Sequence, residues 1–360
     1  MKKRDIWIRS ILIGLTIYLF LVSIKLMGGA FKLFGKELAE TLISVTANPF
    51  VGLFIGILAT SIVQSSSCTT SIVVGLTASG ALTIGGAVPI IMGANIGTSV
   101  TNTIVSLGHI TKKREFRKAF EVATVHDFFN FIIVLLLFPL ELIFHPLEKA
   151  AVALTSVFLG SNMGVEFTSP LNYIIKPAVH LIEWLLWDNA IAMLVVSLVL
   201  LFMALTWFVK IMKPLAQTEF KHLLNKHIFN SPARAFGTGL IFTAIVQSSS
   251  VSTSLVVPLA GVGLLMLDKV FPYILGANIG TTFTALMASL VTGSPAAVAV
   301  ALEHVMFNTF GSIIIWPLRR FPLAMSRGLA SLSFKSRAYP FAYIATAFFI
   351  LPVIIIYLFH

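Results

Sequence analysis

Between residues 44 and 110 the chain carries no Asp, Glu, Lys or Arg, yet glycine or proline interrupts every apolar run. So long an uncharged stretch cannot cover itself with a solvated face. The rest is similar: 57% of the chain is hydrophobic and only 11% charged, outside the range of an ordinary soluble domain. Residues 189–209 are apolar and uncharged, enough to cross a hydrocarbon core of about 30 Å as one helix. Helices satisfy their own backbone groups in lipid, so the sequence predicts an all-α polytopic membrane protein. Further spans are expected near residues 7–24, 128–140, 305–318 and 338–359. The first has no small-residue cleavage site close behind it and reads as a retained helix, not a signal peptide. The single cysteine, Cys68, excludes an intrachain disulfide. A net charge of +11 would suggest nucleic acid in a soluble protein; here the basic residues sit in loops, where they set orientation, and no nucleic-acid partner is expected.

Two phrases occur twice. At an offset of 183 residues, "QSSSCTTS" (64–71) meets "QSSSVSTS" (247–254) and "GANIGTSVT" (93–101) meets "GANIGTTFT" (276–284). After a five-residue gap, "HDFFN" (126–130) meets "HVMFN" (304–308). That is duplication. The chain accordingly divides into an N-terminal helix and connector (1–39), a first repeat (40–140), an extracellular connector, linking helix and basic cytoplasmic loop (141–224), a second repeat (225–317), and a basic loop with a final helix (318–360).

Loop charge orients the repeats. The helix of His126 follows Lys112, Lys113, Arg114, Arg117 and Lys118 and precedes Glu141 and Glu148, so it should run from inside to outside. The helix of His304 follows uncharged "TGSPAA" and precedes Arg319, Arg320, Arg327, Lys335 and Arg337, so it should run the other way. Between them, residues 189–209 lie after Glu183 and Asp188 and before Lys210 and Lys213, a single crossing that inverts the second repeat. Inverted-topology repeats with discontinuous helices are a hallmark of secondary transporters.

Irregular backbone at membrane depth persists only where protein buries it or a polar cavity lines it, so both phrases are expected on re-entrant hairpins or broken helices. Free N–H groups at a helix start can hold an anion, and neutral hydroxyl and amide oxygens suit a hard monovalent cation. Small hydroxyl residues also serve ordinary helix packing; two copies at constant spacing favour a shared ligand site. Asp127 lies about 20 Å into its helix, deep in the bilayer, where an acid is a functional-site hypothesis by default; a buried pair with His126 is the plain alternative. Glu303 is the other acid beside a repeat histidine. His126 and His304 read as packed histidines, with no metal-ligand spacing around them. An intramembrane serine hydrolase using the serines with His126 and Asp127 is a remote alternative, since neighbouring residues on a helix diverge and no nucleophile elbow is present.

"QSSS" in two copies, "PIIMGANIGTSVTNTIVSL" (89–107) and "FRKAFEVATVHDFFN" (116–130) closely resemble the type II sodium-phosphate cotransporter family in its short bacterial form. Residues 147–187 stand where animal members have a long disulfide-bonded extracellular loop, and a cytoplasmic tail like theirs is not expected after the last helix. The resemblance implies a sodium-driven, electrogenic symporter of inorganic phosphate, divalent and with three sodium ions, working by alternating access. An exporter, or a carrier of another small oxyanion, stays open. By motif, Gln247, Ser248, Thr281 and Thr284 match a sodium site, and Gln64, Ser65, Thr98 and Thr101 are their repeat-mates. Ser66, Ser67, Ser249 and Ser250, with Asn95 and Asn278, are implied for phosphate. Asp127 matches the aspartate that accompanies electrogenic transport; Glu303 has no counterpart to carry over. Sodium is the expected co-substrate, with no organic cofactor. The expected setting is the plasma membrane, the inner membrane of a bacterium, with a cytoplasmic N-terminus and a monomer or dimer as assembly.

Overall fold

A computed structural model describes residues 3–159, 170–225 and 228–359, with the side chains of residues 3–6, 219, 221–225 and 334 left out. Among the described residues every regular element is helical. In chain order they are α1 (Lys3–Leu33), α2 (Gly35–Thr46), α3 (Pro49–Val63), α4 (Ser66–Ser79), α5 (Ile84–Thr98), α6 (Val100–Ser106), α7 (Lys113–Phe144), α8 (Pro146–Leu159) and α9 (Pro170–Leu185). Then follow α10 (Ala190–Asn225), α11 (Pro232–Val246), α12 (Ser249–Gly261), α13 (Leu267–Gly280), α14 (Thr282–Thr292), α15 (Pro295–Leu318), α16 (Arg320–Lys335), α17 (Ala338–Ala345) and α18 (Leu351–Phe359).

Seven segments among the described residues are long and apolar enough to cross a membrane, and an eighth if α2 and α3, bent by 98°, form one span. Five contain the runs expected from hydropathy. The other two, Ile84–His109 and Leu267–Thr292, carry the "GANIGT" phrases and join α5 to α6 and α13 to α14 across a break of one residue. The chain is therefore an all-helical polytopic membrane protein.

The local chemistry of the serine phrases explains their helix breaks. Pro49 opens α3 behind an Asn48 cap, and Gln64 ends it in the left-handed region, at φ 55° and ψ 30°. Ser65 is extended, and its hydroxyl accepts from Cys68 N–H, starting α4. The second copy repeats this: Pro232 opens α11, Gln247 ends it at φ 53° and ψ 28°, and Ser248 caps Val251 N–H to start α12. A left-handed non-glycine residue costs of order 1–3 kcal/mol and persists only where its surroundings enforce it. Both copies carry the same strain at the same residue.

Helix packing repeats as well. In α3 against α5, a Cβ on Gly93 would collide with Leu53 O, and one on Gly56 with Ile90 O; in α11 against α13, Gly276 meets Phe236 O and Gly239 meets Tyr273 O in the same way. "GANIG" is a small-xxx-small pattern that lets two backbones touch. Each hairpin helix then packs on the other repeat: α4 on α14 and α15, α12 on α6 and α7.

Candidate functional site

The two serine phrases meet. Ser67 Oγ donates to Gln247 O at 3.2 Å and lies 3.4 Å from Thr284 Oγ1, across 180 and 217 residues of sequence. From the other side, Thr253 Oγ1 donates to Asn102 Oδ1 at 2.8 Å. Helices α4 and α12 both begin here. Their serine caps occupy the Cys68 and Val251 N–H groups, which leaves the first-turn N–H groups of Ser66, Ser67, Ser249 and Ser250 without intrahelical acceptors. The positive ends of two helix dipoles thus open at one junction.

An amide network links the two repeats, with Nδ1 of His126 and of His304 buried and unpaired at its ends. His126 Nε2 is 3.0 Å from Asn278 Oδ1, and His304 Nε2 is 3.3 Å from Asn95 Oδ1. Asn278 Nδ2 donates to Asn130 Oδ1 at 3.1 Å and to Asn308 Oδ1 at 2.6 Å. Asn130 Nδ2 donates to Asn95 O at 2.9 Å, and Asn95 Nδ2 to Ile91 O at 2.8 Å. Each "HxxxN" helix therefore reaches the "GANIGT" asparagine of the opposite repeat. Asn278 has both amide hydrogens and its carbonyl engaged, so it acts as a strut between repeats in this arrangement. Both histidines are packed and hydrogen-bonded, as expected.

Buried polar atoms without partners mark the remaining chemistry. Thr101 Oγ1, Thr281 Oγ1, Ser249 Oγ and Asp127 Oδ1 are all buried and unpaired, as is Thr243 Oγ1, one turn before Gln247. Buried polar groups are ordinarily satisfied. With Asn172 Oδ1 and the two Glu303 oxygens, eight buried oxygens are unpaired among the described residues, and four of the eight belong to residues singled out by motif. Of the other residues so singled out, Thr98 Oγ1 donates to Ala94 O at 2.8 Å, Gln247 Nε2 approaches Met287 Sδ at 3.6 Å, and the Gln64 side chain is exposed.

Asp127 is fully buried. It is not paired with His126: its Oδ2 accepts from Tyr343 Oη at 2.7 Å and from Thr103 Oγ1 at 3.2 Å, with Ser99 also beside the carboxylate. Sequence reading missed Tyr343, although a phenol in an apolar span needs a partner and could have been flagged for that reason. Glu303 is equally buried, and neither of its oxygens has a partner. Glu141 itself accepts from Leu147 and Glu148 N–H at 2.7 and 3.0 Å, capping α8. No Lys or Arg is buried among the described residues, so no basic side chain there neutralises an anion. Two cavities of about 650 and 580 Å³, lined by α10, α11, α13 and α15 with mostly apolar side chains, include none of the candidate site residues. His126 bonds to Asn278, and Asp127 to Tyr343 and Thr103, none of them a serine of the duplicated phrases, so the hydrolytic triad is not assembled.

The family described as Na+/Pi-cotransporter matches residues 19–170 and 189–351. Relatives include sodium-dependent phosphate transport protein 2B of Homo sapiens, 33% identical over 96% of this chain, and that of Pongo abelii, also 33% identical over 96%. Sodium-dependent phosphate transport protein 2A of Rattus norvegicus is 33% identical over 93%. The chain spans 64–65% of the length of these relatives. No solved structure matches. A family match over both repeats, with relatives aligned along nearly the whole chain, settles the descent of this sequence: it belongs to the Na+/Pi-cotransporter family.

Proposed function

We propose that the chain moves inorganic phosphate across a membrane together with sodium, as a symporter and not an enzyme. The observation that carries this reading is the set of unpaired buried oxygens on Thr101, Asp127, Ser249 and Thr281. Three are neutral hydroxyls and one is a carboxylate oxygen, a donor set suited to a hard monovalent cation or, through the Ser249 O–H, to an oxyanion. The first-turn N–H groups of α4 and α12, with Ser66, Ser67, Ser249 and Ser250, face the phosphate. Sodium sits among Gln247, Ser248, Thr281 and Thr284, among Gln64, Ser65, Thr98 and Thr101, and at Asp127. Asn95 and Asn278 reach the substrate only when their links to the histidines open; otherwise they tie the repeats together.

The repeats, residues 40–140 and 225–317, have inverted topology and exchange conformations to give alternating access. Divalent phosphate with two sodium ions is neutral, and a third sodium neutralises Asp127, so the loaded site crosses without net charge. Co-bound sodium takes the place of the missing basic side chains. The setting is the plasma membrane, with the N-terminus cytoplasmic.

Uptake of radioactive phosphate into proteoliposomes, with membrane potential clamped, tests the reading. Uptake is expected under an inward sodium gradient and lost when choline replaces sodium; uptake indifferent to sodium would end the proposal. Competing arsenate and sulfate, and an outward gradient, separate the phosphate importer from a carrier of another oxyanion or an exporter. Ser249→Ala gives a sharper check. Its hydroxyl has no partner inside the protein, so the fold should be indifferent to its loss. A hydrogen bond to a charged ligand is worth about 1.5–3 kcal/mol, so phosphate half-saturation should rise by about 10- to 100-fold.

A further inference from the structure

The two repeats agree in hinge, glycine interlock and histidine–asparagine links, but they differ at one point. Asp127 stands beside the first repeat histidine, whereas Val305 stands beside the second. The acid also has a partner from outside both repeats: Tyr343, 216 residues away in α17, donates to Asp127 Oδ2 at 2.7 Å. That is within the range of a charge-assisted O–H···O bond.

The phenol is held in place from two sides. Its ring lies 6.2 Å from that of Phe128, the residue after Asp127, and 5.9 Å from Phe348 at 87°, edge to face. Phe348 is fully buried and belongs to a π-helical turn, Thr346–Ile350, between α17 and α18. Such turns are rare and frequently accompany functional sites. The preceding helix is docked too: Ser326 Oγ donates to Glu121 O of α7 at 2.7 Å, and Arg327 pairs with Asp268 of α13. The C-terminal segment is thereby fastened to the helix that carries Asp127. On the other face of the carboxylate, Oδ1 is buried and unpaired.

We propose that Tyr343 is a positioning residue for the ion site: its hydroxyl holds Oδ2 of Asp127, aims Oδ1 at the cation, and is the counter-donor that supports the bare carboxylate when the cation leaves. This rests on the reading of Asp127 as a sodium ligand. A hydrogen bond to an anion weakens once a cation shares that anion. Removing the donor therefore destabilises the unloaded site more than the loaded one. Tyr343 makes sodium easier to release and speeds the return of the unloaded carrier.

Tyr343→Phe tests this by a split that a packing role would not produce. Binding of radioactive sodium to the purified full chain, at alkaline pH and without phosphate, should tighten by about 3- to 10-fold, while maximal transport falls. Unchanged or weaker sodium binding by a folded variant would overturn the proposal. Phe348→Leu keeps the hydroxyl but loosens the ring; a smaller tightening is expected, and none would count against the proposal. In an Asp127→Asn background, Tyr343→Phe should have no further effect on sodium binding; a persisting effect would place Tyr343 at another site and sink the idea. Sodium binding is read without phosphate, so a wild-type chain that binds sodium yet moves no phosphate would end the functional reading and leave this inference standing.

Discussion

Asp127→Gly is expected to leave sodium-driven phosphate uptake running while abolishing the charge that accompanies it. The wild-type chain should move one positive charge per divalent phosphate, and the variant none. The carboxylate is fully buried, and the groups beside it among the described residues, Tyr343, Thr103 and Ser99, are all neutral, so no described basic side chain pairs with it. In the proposed cycle, voltage acts on the carboxylate charge when the unloaded carrier returns, at about 2.3 kcal/mol per charge per 100 mV. Without the carboxylate the third sodium has no reason to bind, and two sodium ions with one divalent phosphate carry no net charge. The substitution also leaves the Tyr343 hydroxyl without its acceptor, at a cost of about 1–3 kcal/mol. Asp127→Gly with Tyr343→Phe should recover part of that stability and remain electroneutral. Current and tracer flux measured on the same vesicles decide the matter; a variant that still moved one charge per phosphate would contradict the role of Asp127.

Gly276→Ala should prevent the chain from accumulating as a folded protein. The added methyl would run into Phe236 O of the facing helix, with Leu240 N and Phe236 C close behind, and backbone atoms cannot rotate away as a side chain can. Helices α11 and α13 would have to separate. Overpacking of a tight interior typically costs about 1–3 kcal/mol, and a backbone collision belongs at or above the top of that range. Gly93→Ala should fail equally, against Leu53 O. The control is Gly237→Ala, on the facing helix α11, where a Cβ meets nothing within 4 Å. There the helix gains up to about 1 kcal/mol from the loss of a glycine. Thermal melting in detergent should rank Gly237→Ala at or above the wild type and the other two far below it.

Much of the site was legible because its signals are local. A left-handed residue followed by an extended serine cap can be encoded in two positions, and "QS" at 64–65 and 247–248 places both helix breaks where the phrases predicted interruption. The glycines of "GANIG" permit tight turns and close backbone approach alike, and only the packed helices show that they serve the second. Pairings across the repeats were not legible. His126 could have faced Asp127, its neighbour in sequence, but α7 turns the histidine to Asn278 and the acid to Tyr343. The exposure of Gln64 beside the half-buried Gln247 was equally hidden, since both stand in the same phrase.

The sequence by itself determined the solvent, the duplication and the hinges. Hydropathy, repeated phrases and cap residues each depend on a few consecutive side chains and the medium around them. Tertiary structure alone decided which buried oxygens found partners and which were left without one. That outcome depends on the angle at which helices distant in sequence cross, and a tyrosine 216 residues from Asp127 can complete its carboxylate only after every helix between them has packed.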